Sequence, residues 1–153
     1  MSGLLILGDK ELVKAAVETA LSEYSDIAVL EEDCVEKHIL GVPVSGGYAC
    51  AGELKETHKN AAAAIANSAL RLHWMNRLQS MGYALPALVH PRCTVSAYAT
   101  VGEGAFVQLG AMVNAGTSIG RGCLICSGCV LEHDCRIKDG VRMCCGVHAE
   151  NGC

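Results

Sequence analysis

The sequence predicts a small parallel α/β unit over residues 1–85, followed by a parallel β-helix over 86–153. Three observations carry this reading. From Val89 onward every sixth residue is apolar: Val89, Val95, Val101, Val107, Val113, Ile119, Ile125, Leu131, Ile137, Met143 and Ala149. Four residues after each stands a small or β-branched residue, in the series Cys93, Ala99, Ala105, Ala111, Thr117, Cys123, Cys129, Cys135, Val141, Val147 and Cys153. Before Pro86, short apolar runs alternate instead with amphipathic stretches, the pattern of strands crossing over through helices.

The N-terminal elements follow in order. Leu4-Leu5-Ile6-Leu7 reads as a short buried strand ending at Gly8. Leu12, Val13, Ala16, Val17, Ala20 and Leu21 then fall on one face of a helix. Ile27-Ala28-Val29-Leu30 is a second strand, closed by Glu31-Glu32-Asp33, and Ala61–Ala66 a further one. Ser68 is placed to cap a helix running to about Met81, with Gly82 ending it. The order is Rossmann-like, and ligands of such units sit beyond the carboxyl ends of the strands. Gly8, Asp33 and Asn67 fall there. The glycine fingerprint G-x-G-x-x-G is missing, since the first strand runs into Gly8-Asp9-Lys10-Glu11, whose carboxylates repel a phosphate at the helix N-terminus. A purely packing role stands beside the ligand-binding one: Asp33 as a turn residue, Asn67 as a cap neighbour, Arg71 on a solvated helix face.

In the second part, the first hexad position points inward, and the fifth points into a tighter corner that admits only small residues. The residue before that corner is usually glycine (104, 110, 116, 122, 128, 140, 146 and 152), as suits a turn needing positive φ. Three hexads make a coil of about eighteen residues, so Val89, Val107, Ile125 and Met143 should stack in one column. Stacked coils bury a continuous core that one repeat could not bury alone.

Ten cysteines invite a metal or disulfide reading. The register gives a plainer one. Cys93, Cys123, Cys129, Cys135 and Cys153 occupy the small inward position, where a thiol acts as a small hydrophobe. Cys126 lies at an outward position, so Cys123, Cys126 and Cys129 cannot converge on one ion despite their spacing. Cys135 and Cys153 lie one coil apart and could be bridged, but a reducing compartment disfavours it.

The formal charge of −4 and the lack of a basic run argue against nucleic acid and an anionic membrane surface as partners. No apolar run approaches a membrane span. Met1-Ser2-Gly3-Leu4 has neither a basic n-region nor a cleavage site, so the expected location is cytoplasmic.

Chemistry concentrates at Glu132-His133-Asp134. His133 follows the inward Leu131 and projects from a rigid coil between two carboxylates. An imidazole with a carboxylate partner can act as a general base near neutral pH, although adjacent residues of an extended chain face opposite ways, so contact needs a bend. The remaining histidines carry weaker signals: His90 precedes Pro91 at the entry to the coils, His73 lies on the second helix, His148 on a late hexad, and His38 and His58 have no evident partners.

With these residues in view, the chain resembles the bacterial sugar O-acyltransferases, a hexapeptide-repeat group related to sialic acid O-acetyltransferases and to the N-acetyltransferases of amino-sugar pathways. The resemblance runs through Leu4–Gly8, Ala64-Ile65-Ala66-Asn67 and Leu88-Val89-His90-Pro91. It is most specific at Glu132-His133-Asp134-Cys135 and Ile137-Lys138-Asp139-Gly140. It implies a Rossmann-like unit holding a sugar or sugar nucleotide through Gly8, Asp33, Ala66 and Asn67, then a left-handed β-helix that forms a homotrimer. It further implies acetyl-CoA as co-substrate in the cleft between neighbouring helices, with Arg142 and Gly146 on the cofactor side and no metal. His133 would be the base and Asp134 the residue that raises its basicity. Transfer would be direct, without an acyl-enzyme, and backbone N–H groups would stabilise the oxyanion.

The chain departs from the family at Gly8-Asp9-Lys10, where a glycine-rich loop is usual, and at Ala66, where glycine is usual. Arg142 stands in place of a second histidine and Cys126 in place of an asparagine. It also stops at Cys153 in mid-coil, so a truncated product or a piece of a longer protein is expected, and with it an alternative function: an inert β-helix scaffold or trimerisation module. A γ-class carbonic anhydrase shares the coil but needs closely spaced histidine ligands, and His133 and His148 are fifteen residues apart.

Overall fold

A computed structural model describes residues 3–153, which form two compact units, one ending at Pro86 and one starting at Ala87. In the first, β1 (Gly3–Gly8), α1 (Val13–Ala20) and β2 (Ile27–Glu31) are followed by a short antiparallel pair, β3 (His38–Ile39) and β4 (Val42–Pro43). A 3-10 turn (Tyr48–Gly52), β5 (His58–Ala64) and α2 (Ser68–Ser80) complete it. The parallel sheet has the order β2-β1-β5. Every residue of β1 and β2 is buried, the mark of a parallel strand covered on both faces. Leu5, Leu7, Leu30, Met75 and Leu78 pack in one core with Tyr48 and Tyr83.

Three N-terminal details differ from the sequence expectation. The third strand runs His58–Ala64, not Ala61–Ala66: the Ala66 amide leaves the ladder and donates to Asp9 Oδ2 at 2.6 Å. The cap of α2 is Asn67, not Ser68; its Oδ1 accepts from the Leu70 amide at 2.9 Å. Arg71 is not solvated but 2% exposed. Its guanidinium donates to the Ile65 and Ala66 carbonyls at 2.7 and 3.1 Å and to Ser68 Oγ at 3.2 Å. It thus satisfies acceptors stranded where β5 ends.

In the second unit, eleven two-residue strands recur at the hexad spacing. They are β6 (Leu88–Val89), β7 (Thr94–Val95), β8 (Thr100–Val101), β9 (Phe106–Val107), β10 (Met112–Val113), β11 (Ser118–Ile119), β12 (Leu124–Ile125), β13 (Val130–Leu131), β14 (Arg136–Ile137), β15 (Arg142–Met143) and β16 (His148–Ala149). They stack into three parallel sheets, β16-β13-β10-β7, β14-β11-β8 and β15-β12-β9-β6. Such stacked parallel strands build a parallel β-helix. Val89 pairs with Val107, Val107 with Ile125 and Ile125 with Met143, so the column read from the sequence is present in register.

The corner thiols do more than fill space. Cys123 Sγ donates to the Lys138 carbonyl at 2.9 Å, Cys129 Sγ to Cys144 at 3.1 Å and Cys135 Sγ to Glu150 at 3.1 Å. Each satisfies a turn carbonyl of the coil above. Cys126, assigned to an outward position, is nonetheless buried at 3% exposure, with the Arg142 side chain bonded to its thiol. Val141, Val147 and Cys153, expected inward, are exposed.

Burial pushes the Cys93, Cys126 and Cys129 thiols upward, Arg142 partly opposing this at Cys126. The unfolded chain therefore ionises these thiols first. Their contribution to stability is complete below the ordinary value of 9.0 and is lost as pH rises through the raised folded values. Denaturant midpoints measured from pH 7 to pH 10.5 should fall above pH 9, and Cys129→Ala should show a shallower fall.

Candidate active site

The corner turns of the coil impose a backbone demand. The residue before each inward corner has φ between 63° and 76° at Gly104, Gly110, Gly116, Gly122, Gly128, Gly140, Gly146 and Gly152. At the equivalent place in the turn after β13 the residue is Asp134, with φ 61°. An L-residue in this region is disfavoured, and aspartate is among the few that tolerate it. The conformation supplies the missing bend: His133 Nδ1 lies 2.8 Å from Asp134 Oδ2. Both side chains are exposed, at 56% and 69%. With Nδ1–H donating to the carboxylate, Nε2 presents its lone pair outward.

The coil below makes room for this pair. Gly116 lies directly under Asp134, and a Cβ there would collide with Asp134 Oδ1. The Asp134 amide donates to the Ala115 carbonyl at 3.0 Å, and the His133 carbonyl accepts from the Gly152 amide at 3.1 Å. Glu132, the other candidate partner, is engaged elsewhere. Its carboxylate accepts from Asn114 Nδ2 at 3.2 Å and pairs with His148 Nε2 at 3.2 Å. His148 thus has a partner that its sequence position did not reveal.

Arg142 stands on β15 opposite Leu124 with an exposed side chain. Gly146 turns a different corner: its amide bonds to Ser127, whereas the Asp134 amide bonds to Ala115. Within one coil stack, the structure therefore does not gather Gly146 with His133.

In the first unit, Gly8 and Asp33 line one cleft of about 330 Å³ at the carboxyl ends of β1 and β2. A Cβ on Gly8 would sit 2.6 Å from Val13 Cγ2, so its smallness serves the strand–helix contact. Asp33 takes φ 54° in the turn after β2. Ala66 and Asn67 are committed to the Asp9 and Leu70 bonds. Asp9 is the organising residue the sequence reading undervalued. Its Oδ1 accepts from the Glu11 and Leu12 amides, each at 3.1 Å, while Oδ2 holds Ala66. Its carboxylate takes the place an anionic ligand would have at this helix N-terminus. Asp9, Glu11, Glu31, Glu32 and Asp33 face only Lys10 around the cleft. The Tyr48 hydroxyl donates to the Gly8 carbonyl at 2.9 Å. Burial, then the charges of Asp9 and Glu32, hold it far above the usual phenol range.

No family model and no curated protein sequence matches the chain. Solved structures do. A histidine-to-asparagine variant of perosamine N-acetyltransferase from Caulobacter crescentus, in complex with CoA and GDP-perosamine, superposes with a TM-score of 0.86 at 28% identity, covering 93% of this chain and 68% of that one. The acetyltransferase domain of PglB from Neisseria gonorrhoeae, in complex with acetyl coenzyme A, superposes with a TM-score of 0.88 at 28% identity, covering 95% of this chain and 72% of that one. These neighbours are sugar acyltransferases of the hexapeptide-repeat family. The resemblance to such acyltransferases spans nearly the whole chain. Among the described residues no cluster of histidine, cysteine, aspartate or glutamate is placed to hold a metal, and no helix is long and apolar enough to cross a membrane.

Proposed function

We propose that this chain transfers an acetyl group from acetyl-CoA to the amine of a sugar or sugar nucleotide, with His133 as general base and Asp134 as its partner. The observation that carries the proposal is the 2.8 Å His133–Asp134 contact, made at the one glycine site of the coil that is occupied by an aspartate. A non-glycine residue held in this backbone region suggests function rather than stability. The solved neighbours add that proteins of this build carry CoA and a GDP-sugar.

In the proposed reaction, His133 Nε2 takes the proton of the acceptor as its nitrogen attacks the acetyl carbonyl. Asp134 stabilises the imidazolium that forms. The carbon–sulfur bond then breaks and the imidazolium returns its proton to the leaving thiolate, so the products are the acetamido sugar and CoA thiol. The co-substrate supplies the activated thioester. Arg142, cationic and exposed, suits a CoA phosphate by charge, and Gly146 offers an open turn.

The α/β unit is proposed to be Rossmann-like in role, holding the acceptor in the cleft lined by Gly8 and Asp33. Its carboxylates favour hydroxyl and N–H donors of the sugar or base over a diphosphate. Homotrimer formation and a cytoplasmic location belong to the same reading. The test incubates the protein with acetyl-CoA and a panel of amino sugars and their nucleotide forms, and follows free thiol together with acceptor mass. The expected result is thiol release matched by a gain of one acetyl group. Absence of transfer to any amine or hydroxyl acceptor, with the folded protein confirmed, would favour the scaffold reading instead.

A further inference from the structure

Ten of the corner turns close in the same way. The amide of the corner residue donates to the carbonyl three residues earlier: Cys129 to Cys126 at 3.3 Å, Val141 to Lys138 at 3.4 Å, Cys153 to Glu150 at 3.1 Å, and likewise at the corners before and after. Among the described residues, the turn of His133 and Asp134 is the exception. The Cys135 amide makes no such bond to the Glu132 carbonyl. A hydroxyl from the coil below stands between them. Thr117 Oγ1 donates to the Glu132 carbonyl at 2.7 Å and accepts from the Cys135 amide at 3.1 Å. Thr117 is 1% exposed, and it is the one hydroxyl in a corner series otherwise made of Cys, Ala and Val.

We infer that Thr117 is a positioning residue for His133 and Asp134. Its hydroxyl bridges the two ends of their turn, holds it wider than the neighbouring turns, and so fixes the geometry in which the imidazole meets the carboxylate. The inference rests on the proposed role of His133. A thiol at the same corner cannot substitute. Cys123, Cys129 and Cys135 show that a thiol donates to the carbonyl above, but sulfur is a weak acceptor for the amide. The corner's size is satisfied by cysteine; the two-sided bridge is not.

The experiment compares Thr117→Ser, Thr117→Cys and Thr117→Val in the full chain, each checked for folding by circular dichroism. Thr117→Ser should keep kcat within about threefold of the parent. Thr117→Cys and Thr117→Val should lose about tenfold to a hundredfold in kcat, with KM for acetyl-CoA changed less than twofold, because misplacement of a base acts on the chemical step. Crystal structures should show the Cys135 amide bonded to the Glu132 carbonyl in the two impaired variants, and His133 Nδ1 parted from Asp134. A Thr117→Cys protein with parental kcat, or with the turn open and the His133–Asp134 contact intact, would overturn the inference and leave Thr117 a space-filler. Should the parent protein transfer no acetyl group, the proposed function fails, and the same pair of structures still decides whether the hydroxyl sets the contact.

Discussion

Replacing Asp134 with glycine is expected to leave the β-helix as stable as before or more stable, while lowering acetyl transfer about a hundredfold. The two effects arise from one backbone position. The turn demands φ near +60°, which eight glycines supply elsewhere in the coil and Asp134 supplies at 61°. Glycine occupies this region at no steric cost, whereas an L-residue loses on the order of 1 kcal/mol there. Against that gain stands an exposed His133–Asp134 contact, worth about 0.2–1 kcal/mol. The thermal midpoint of Asp134→Gly should therefore be no lower than the parent's. Activity should fall because the imidazole loses the group that sets its tautomer and stabilises its charge. Asp134→Asn, which keeps a polar side chain tolerated in the same conformation, should lose activity without the gain in stability. Parental activity in Asp134→Gly would show that the carboxylate takes no part in transfer.

The coil was legible because its period is a direct projection of its geometry. A residue every sixth position can face inward only if the chain turns a corner between, so the sequence alone puts Val89, Val107, Ile125 and Met143 in one column, and the register agrees. His133 was picked out as a candidate base because it follows the inward Leu131 between two carboxylates; the left-handed conformation of Asp134, φ 61°, is visible only in the structure.

What escaped the sequence lies in contacts between coils and between distant segments. Nothing local to Thr117 distinguishes a small corner filler from a hydroxyl bridging a turn in the next coil. The Glu132–His148 pair joins residues on adjacent coils, and with Glu132 and Asp134 both flanking His133, only the αL bend decided which carboxylate it meets. In the first unit, Arg71 fell on a helix whose apolar face is weak, so its burial against the Ile65 and Ala66 carbonyls had no periodic signal. Asp9 read as a charge that would repel a ligand. It is in fact the acceptor that joins the start of α1 to the chain leaving β5, across 57 residues of sequence.

His133→Ala should lower CoA release on the order of 10²–10⁴-fold to a measurable residual rate, with little change in stability. The side chain is 56% exposed and bonds to the neighbouring Asp134, and exposed substitutions of this kind change stability by about 0.5 kcal/mol or less. A protein impaired to this degree with an unchanged denaturant midpoint therefore reports the loss of a base and not the loss of a fold. Combining the substitution with Asp134→Gly sharpens the assignment. If the carboxylate acts only through the imidazole, the double variant should be no slower than His133→Ala alone, because residues that work as a unit do not add. A further drop in the double variant would give Asp134 a contact with substrate of its own. His148→Ala is the control within the same coil stack: it removes an exposed histidine that also has a carboxylate partner, and it should leave most of the activity in place. Equal losses from His133→Ala and His148→Ala would move the base away from the turn and onto the Glu132–His148 pair.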